Sequence, residues 1–147
     1  MNGQLVSQQQ QQQPVGPAHR DPQIIARGME LLVEMRELCT SLVYAALVTD
    51  DGFEVVRLPG GETDGSRFAS MASSMQALGD AVARELRMGE SQYIIIASDN
   101  GHVIQLRVPD HPLVLSALFD DFETLGKGLA ISRASAAKMS SFLTAAS

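Results

Sequence analysis

Little in this chain of 147 residues offers chemistry of its own, and each absence removes a class of function. There is one cysteine, Cys39, which cannot build a disulfide framework. It falls inside a helical pattern and reads as a small buried hydrophobe, so a reducing, cytoplasmic setting is expected. No apolar run approaches the roughly 18 residues that cross a bilayer. The N-terminus lacks a basic flank followed by an apolar stretch, so no secretory signal is expected either. Basic residues number eleven, but they are scattered and the net charge is −6. Such a pattern neither follows a phosphate backbone nor favours an anionic membrane surface. Nucleic acid and direct membrane insertion are therefore not expected.

Catalytic signatures are missing as well. A phosphate-binding loop needs Gly-x-x-x-x-Gly-Lys and then Ser or Thr, because glycine amides cradle the phosphates and the lysine neutralises them. Gly60 to Ser66 has the glycine spacing, but Gly65 is followed by Ser66 rather than lysine. Gly126-Lys127 is followed by Gly128, and no glycine stands five residues before Gly126. His19, His102 and His111 have no second ligand at metal spacing. Asp50-Asp51 and Asp120-Asp121 are paired carboxylates, yet both fall at turns, which explains them without acid–base catalysis. No Gly-x-Ser-x-Gly elbow occurs. No catalytic residue, metal or cofactor is expected, which leaves a protein partner, a small ligand, or both.

What is present is patterned. Residues 1–20 contain six consecutive glutamines, Gln8 to Gln13, followed by Pro14, Gly16 and Pro17. This segment carries too little apolar surface to offset its ordering entropy, so a disordered tail is expected there and the folded domain over 21–147. Asp21-Pro22 has the form of a helix start, and apolar residues recur at three- and four-residue steps from Ile24 to Leu42. Val43 to Thr49 and Phe53 to Leu58 flank Asp50-Asp51-Gly52, a hairpin signal. A second helix is predicted over Ser66 to Met88, with Phe68, Met71, Ala72, Met75, Leu78, Val82 and Leu86 as its inward stripe and Gly89 as its stop. Gln92 to Ala97 and His102 to Val108 flank Asp99-Asn100-Gly101, where Asn-Gly favours a type I′ turn. A fifth strand, Leu113 to Phe119, precedes a last helix from Leu125 to Ala145. The order α-β-β-α-β-β-β-α, with two hairpins, predicts an α+β sandwich around a five-stranded, mostly antiparallel sheet.

The second helix carries the functional signal. Its face opposite the predicted stripe would present Ser66, Ser70, Ser73, Ala77, Ala81 and Arg84, where a solvated helix usually carries glutamate and lysine. Between Arg67 and Arg84 the only charge is Asp80. Small outward side chains let another helix approach closely. The strand Tyr93-Ile94-Ile95-Ile96-Ala97 is apolar on both faces: either it lies centrally in one subunit, or it is an edge covered by a second copy. Ser70, Ser73, Ala77, Ala81, Arg84, Tyr93 and Ile95 are the candidate dimer or partner interface.

Leu47 to Phe53, Phe68 to Ala72, Gly79 through Arg87 to Gly89, and Tyr93 to Ala97 with Gly101 together resemble the roadblock / dynein light-chain family. The resemblance covers about residues 22–145 and rests on element order and an apolar–glycine pattern. It implies a profilin/longin-like fold and homo- or heterodimers joined through the second helix and third strand. For a stand-alone bacterial member, it implies regulation of a small Ras-like GTPase rather than an activity of the chain itself. It favours repositioning the GTPase's own residues over a donated arginine, for which Arg84, then Arg67 and Arg87, are the candidates. A passive adaptor or scaffold subunit is the alternative. A profilin-like ligand sensor would need a closed apolar pocket in the monomer.

Overall fold

Asp21 starts the first helix through its own side chain: Oδ1 accepts a hydrogen bond from the Gln23 amide at 2.9 Å, with Pro22 in the first turn. That helix, α1, spans Pro22–Leu38 of the computed structural model, which describes residues 16–61 and 64–146. It stops before Leu42 because Cys39 is extended, and Leu42 already belongs to the first strand. The remaining elements are β1 (Leu42–Thr49), β2 (Glu54–Leu58), α2 (Ser66–Glu85), β3 (Ile94–Ser98), β4 (Gly101–Arg107), β5 (Leu113–Asp120) and α3 (Leu125–Ala146). A short 3-10 turn, Ala18–Arg20, precedes α1, with the His19 ring stacked on Phe53 at 4.3 Å. Packed structure thus begins before Asp21, while the glutamine run lies outside the described residues.

The strands form one sheet in the order β2-β1-β5-β4-β3, and all four pairings are antiparallel. β5 joins the two hairpins at the centre, which leaves β2 and β3 as the edges. Alternation along β5 divides the faces. Leu113, Leu115, Ala117 and Phe119 pack beneath α1 and α3, whereas Val114 packs with Ala69 and Ala72 of α2.

The main core therefore lies between the sheet and the α1/α3 pair, where Leu31, Leu32, Met35, Ala136 and Met139 are buried. Two glycines set how closely those helices lie on the sheet. A β-carbon at Gly28 would stand 2.9 Å from Val56 Cγ1, and one at Gly128 would stand 3.1 Å from Ile104 Cδ1. Gly128 weakens the helix locally, but it admits Ile104 and Phe119 to the space beneath.

The end of α1 is joined to the start of α3 by Cys39, whose Sγ donates to Glu123 Oε2 at 2.8 Å. Burial, then this hydrogen bond, raises the Cys39 thiol pKa, and the same bond lowers that of the Glu123 carboxyl. A carboxylate depressed on folding contributes stability that is present above its ordinary value of about 4.5 and is lost as pH falls through the lower folded value. Glu123→Gln should therefore be less stable than wild type at neutral pH, with the difference shrinking below about pH 4.5. Urea melts at a series of pH values measure this, and a difference independent of pH would refute the linkage.

Candidate partner-docking face

α2 lies alone on its side of the sheet and touches it through small and polar side chains. Ala69, Ala72, Gln76 and Ala83 are its buried residues, spaced at three- and four-residue steps along one face. Gln105, fully buried on β4, donates from Nε2 to the Ala72 carbonyl at 2.8 Å and to Gln76 Oε1 at 3.4 Å. Gln76 Nε2 donates to Asp80 Oδ1 at 3.1 Å, and Asp80 Oδ2 accepts from Arg107 Nη1 at 2.8 Å. Arg107 Nη2 reaches Asp50 at 3.3 Å. Burial disfavours the Arg107 charge, but the two carboxylates outweigh it and raise its pKa above the ordinary value. A polar ladder thus runs from the turn after β1, along β4, to the underside of α2.

This seating corrects the expected orientation of the helix. Of the stripe predicted to face inward, Ala72 is buried and Phe68 and Met75 are partly so. The others face solvent: Met71 is 53% exposed, Leu78 65%, Val82 48% and Leu86 64%. The reason is steric and polar at once. Small side chains let the helix sit close to the sheet, and the Ala72 carbonyl and Gln76 side chain that meet Gln105 Nε2 must share that face.

The exposed stripe lies beside a second apolar surface. A β-carbon at Gly79 would stand 2.8 Å from Ile94 Cδ1, which places the flank of α2 that carries Gly79 over β3. Ile94 and Ile96 point to this side of the sheet, and Ile96 is 44% exposed. Among the described residues β3 pairs only with β4, so its outer backbone edge has no partner strand there. Of the two readings of this apolar strand, the central one within a subunit is excluded.

The interface residues expected from the sequence fall into separate groups. Ser70 and Ala77 are exposed and Ala81 is half-buried, on the flank of α2 away from β3; Ser73 lies on that flank, its Oγ near Gly52. Ile95 points to the opposite face of the sheet and packs on the main core. Tyr93, just before β3, lies beneath the Arg133 guanidinium at 5.0 Å. Arg84 lines an open cleft of about 1070 Å³ at the end of α2, with Arg87, Ser91, Gln92, Arg107 and Arg133 also on its walls. Met71, Leu78, Val82, Leu86 and Ile96 were missed as surface. The three- and four-residue spacing of Ala69, Ala72, Gln76 and Ala83 was the signal that pointed to them.

A small apolar cavity between α1, α3 and the sheet measures about 10 Å³, no more than a single water needs. It does not supply the pocket a ligand sensor requires. Among the described residues no helix is long and apolar enough to cross a membrane.

An edge strand beside an apolar helix face makes this side of the α+β sandwich the candidate docking face. The chain belongs to the Roadblock/LC7 domain family, whose model matches residues 29–116. It is similar in structure to an MglB with a tetrameric arrangement, at 21% identity over 83% of this chain and 91% of that one, with a TM-score of 0.71. The gliding protein MglB from Thermus thermophilus matches at 19% identity over 79% and 87%, with a TM-score of 0.67. MglB from Myxococcus xanthus matches at 14% identity over 84% and 92%, with a TM-score of 0.74. At such identities the likeness shows the fold. No curated protein matches the chain in sequence.

Gln105→Ala tests the polar seat of α2. Removing this amide leaves the Gln76 and Asp80 end of the ladder without its buried anchor, and should cost about 1–3 kcal/mol of stability by urea unfolding. A loss below about 0.5 kcal/mol would show that the alanine contacts alone hold the helix.

Proposed function

We propose that this chain is a homodimeric regulator of a small Ras-like GTPase, acting by binding it and positioning its switch regions. The observation that carries the reading is the surface formed by α2 and β3, with Leu78, Val82, Leu86 and Ile96 exposed beside an unpaired strand edge. A contiguous apolar surface at a sheet edge promotes uncontrolled association unless a specific partner covers it. A second copy, pairing β3 with β3, removes both liabilities at once and sets the two α2 helices side by side.

The GTPase then meets what the dimer leaves uncovered. On α2 that is the small-residue flank, Ser70, Ala77 and Ala81, with Arg84 at its end. Hydrolysis of GTP depends on orienting the attacking water and stabilising charge on the phosphoryl group. A close, small-residue contact can fix a switch segment without donating a catalytic group. Membership of the Roadblock/LC7 family and the resemblance to its stand-alone bacterial members support this role.

Two substitutions separate the two contacts. Leu78→Glu buries a charge against its symmetry mate in the seam, where an unpaired desolvated charge costs on the order of 3–5 kcal/mol. It should turn the dimer into a monomer by light scattering. Ala77→Glu should keep the dimer and abolish stimulation of phosphate release from a GTP-loaded Ras-like GTPase of the same cell. Binding of the GTPase with no change in its rate would make the chain an adaptor. A monomeric wild type would remove the dimer reading.

A further inference from the structure

The ends of β3 carry opposite charges that have no ionic partner among the described residues. At its start, the Arg133 guanidinium sits over Tyr93, beside Ser91 and Gln92 in the cleft wall, and forms no ion pair among the described residues. At its end, Asp99 occupies the turn to β4, exposed and likewise without a hydrogen-bonded or ionic partner among them. The other carboxylates of the cleft do not satisfy Arg133. Asp50 and Asp80 are held by Arg107, and Glu90 and Asp110 are exposed.

The strand geometry says where those ends go in a two-fold pair. Ser98 and Gly101 close a two-residue hairpin and form the pair that exchanges both backbone bonds. Counting back in steps of two, Ile96 and Ile94 also turn their N–H and C=O groups toward β4. Those of Tyr93, Ile95 and Ala97 then point outward, free to pair with another strand. A two-fold axis through the sheet runs the second β3 antiparallel to the first, with one residue of the strand lying on the axis. With Ile96 there, Asp99 of the partner subunit falls opposite Tyr93; with Ile95 there, it falls opposite Ser91. Neighbouring strands are about 4.8 Å apart, so an arginine standing over Tyr93 reaches the partner's Asp99 in the Ile96 register, whereas the Ile95 register carries the partner's Asp99 two residues, about 7 Å, further along the strand.

We propose that Asp99 of each protomer pairs with Arg133 of the other, closing both ends of the β3 seam with a charge clamp that selects a second copy of this chain. The inference rests on the homodimer proposed above and adds to it a device for register and self-recognition. Apolar contacts along α2 and β3 supply most of the association but tolerate sliding by two residues. Two symmetric ion pairs do not, and they also disfavour a related chain that lacks either charge.

The test is charge reversal with rescue, read as the dimer dissociation constant by sedimentation equilibrium at low salt, with thermal melts to check folding. Asp99→Arg and Arg133→Asp should each weaken the homodimer about tenfold, since each breaks two exposed pairs and substitutes repulsion. An equimolar mixture of the two variants should form a heterodimer of near wild-type affinity, and the double variant should recover its own homodimer. A wild type that stays monomeric would overturn the homodimer and the clamp together. A dimeric wild type that both reversals leave unchanged, or reversals that neither mixture nor double variant rescues, would overturn the clamp alone.

Discussion

The surface of this protein is decided by how α2 is seated. A helix resting on a sheet normally buries its largest apolar side chains there. Here Gln105 is buried under the helix and must be met by a carbonyl and an amide from α2. Ala69, Ala72 and Ala83 bring the backbone near enough for that, and Gln76 and Asp80 occupy the rest of the face. Once that face is committed to small and polar groups, Met71, Leu78, Val82 and Leu86 have only solvent or another protein to meet. The outward apolar stripe is thus a consequence of pairing the buried Nε2 of Gln105.

Topology completes what seating begins. The chain leaves β2 at one edge, crosses the sheet as α2, and enters β3 at the other edge. The edges are not equivalent. β2 is backed by α1, with Val55 and Val56 buried and His19 stacked on Phe53 nearby. β3 is half-exposed or exposed along its whole length. Its Ile94 and Ile96 lie on the same side of the sheet as α2, so the unpaired edge and the unpaired helix face adjoin. Either feature alone would be a modest liability; side by side they form one surface suited to one kind of cover.

The fold was legible in the sequence to a useful depth. Asp21-Pro22 and Asp51-Gly52 are local signals that mark the boundaries they announced. Asn100-Gly101 marks its hairpin but not the expected type I′ turn: the turn is centred on Asp99-Asn100, neither of which has positive φ, and Gly101 already belongs to β4. Alternation and helical spacing placed all eight main elements in order, with ends shifting by a few residues where a strand continues into a turn. The orientation of α2 was not legible by hydrophobicity. Two stripes run along that helix at similar spacing, and ranking them by side-chain size selects the wrong one. Gln105 decides between them, and a single polar residue in an apolar strand has no visible partner until β4 is placed beneath the helix. The small-residue flank was recognised as unusual for a solvated helix, and it remains accessible at Ser70 and Ala77. Ile95 was assigned to the interface by strand membership alone, whereas alternation sends its side chain to the core.

The polar ladder also gives α2 a particular mechanical character. Its apolar contact with the sheet is made by alanines over Ala46, Val48 and Val114, by Phe68 against Tyr44, and by Gly79 over Ile94. An element with so little buried apolar surface is the one expected to open first under native conditions. Covering its outer stripe would raise the cost of that opening, because Leu78, Val82 and Leu86 would become buried only when a second protein is in place. The ladder ends in the cleft at Arg107, between Asp80 and Asp50, so the position of α2 is tied to charges that a neighbouring molecule can approach. In such an arrangement, binding and the ordering of the helix are one equilibrium. A partner that prefers the seated helix stabilises it by the difference in its affinity for the seated and unseated states.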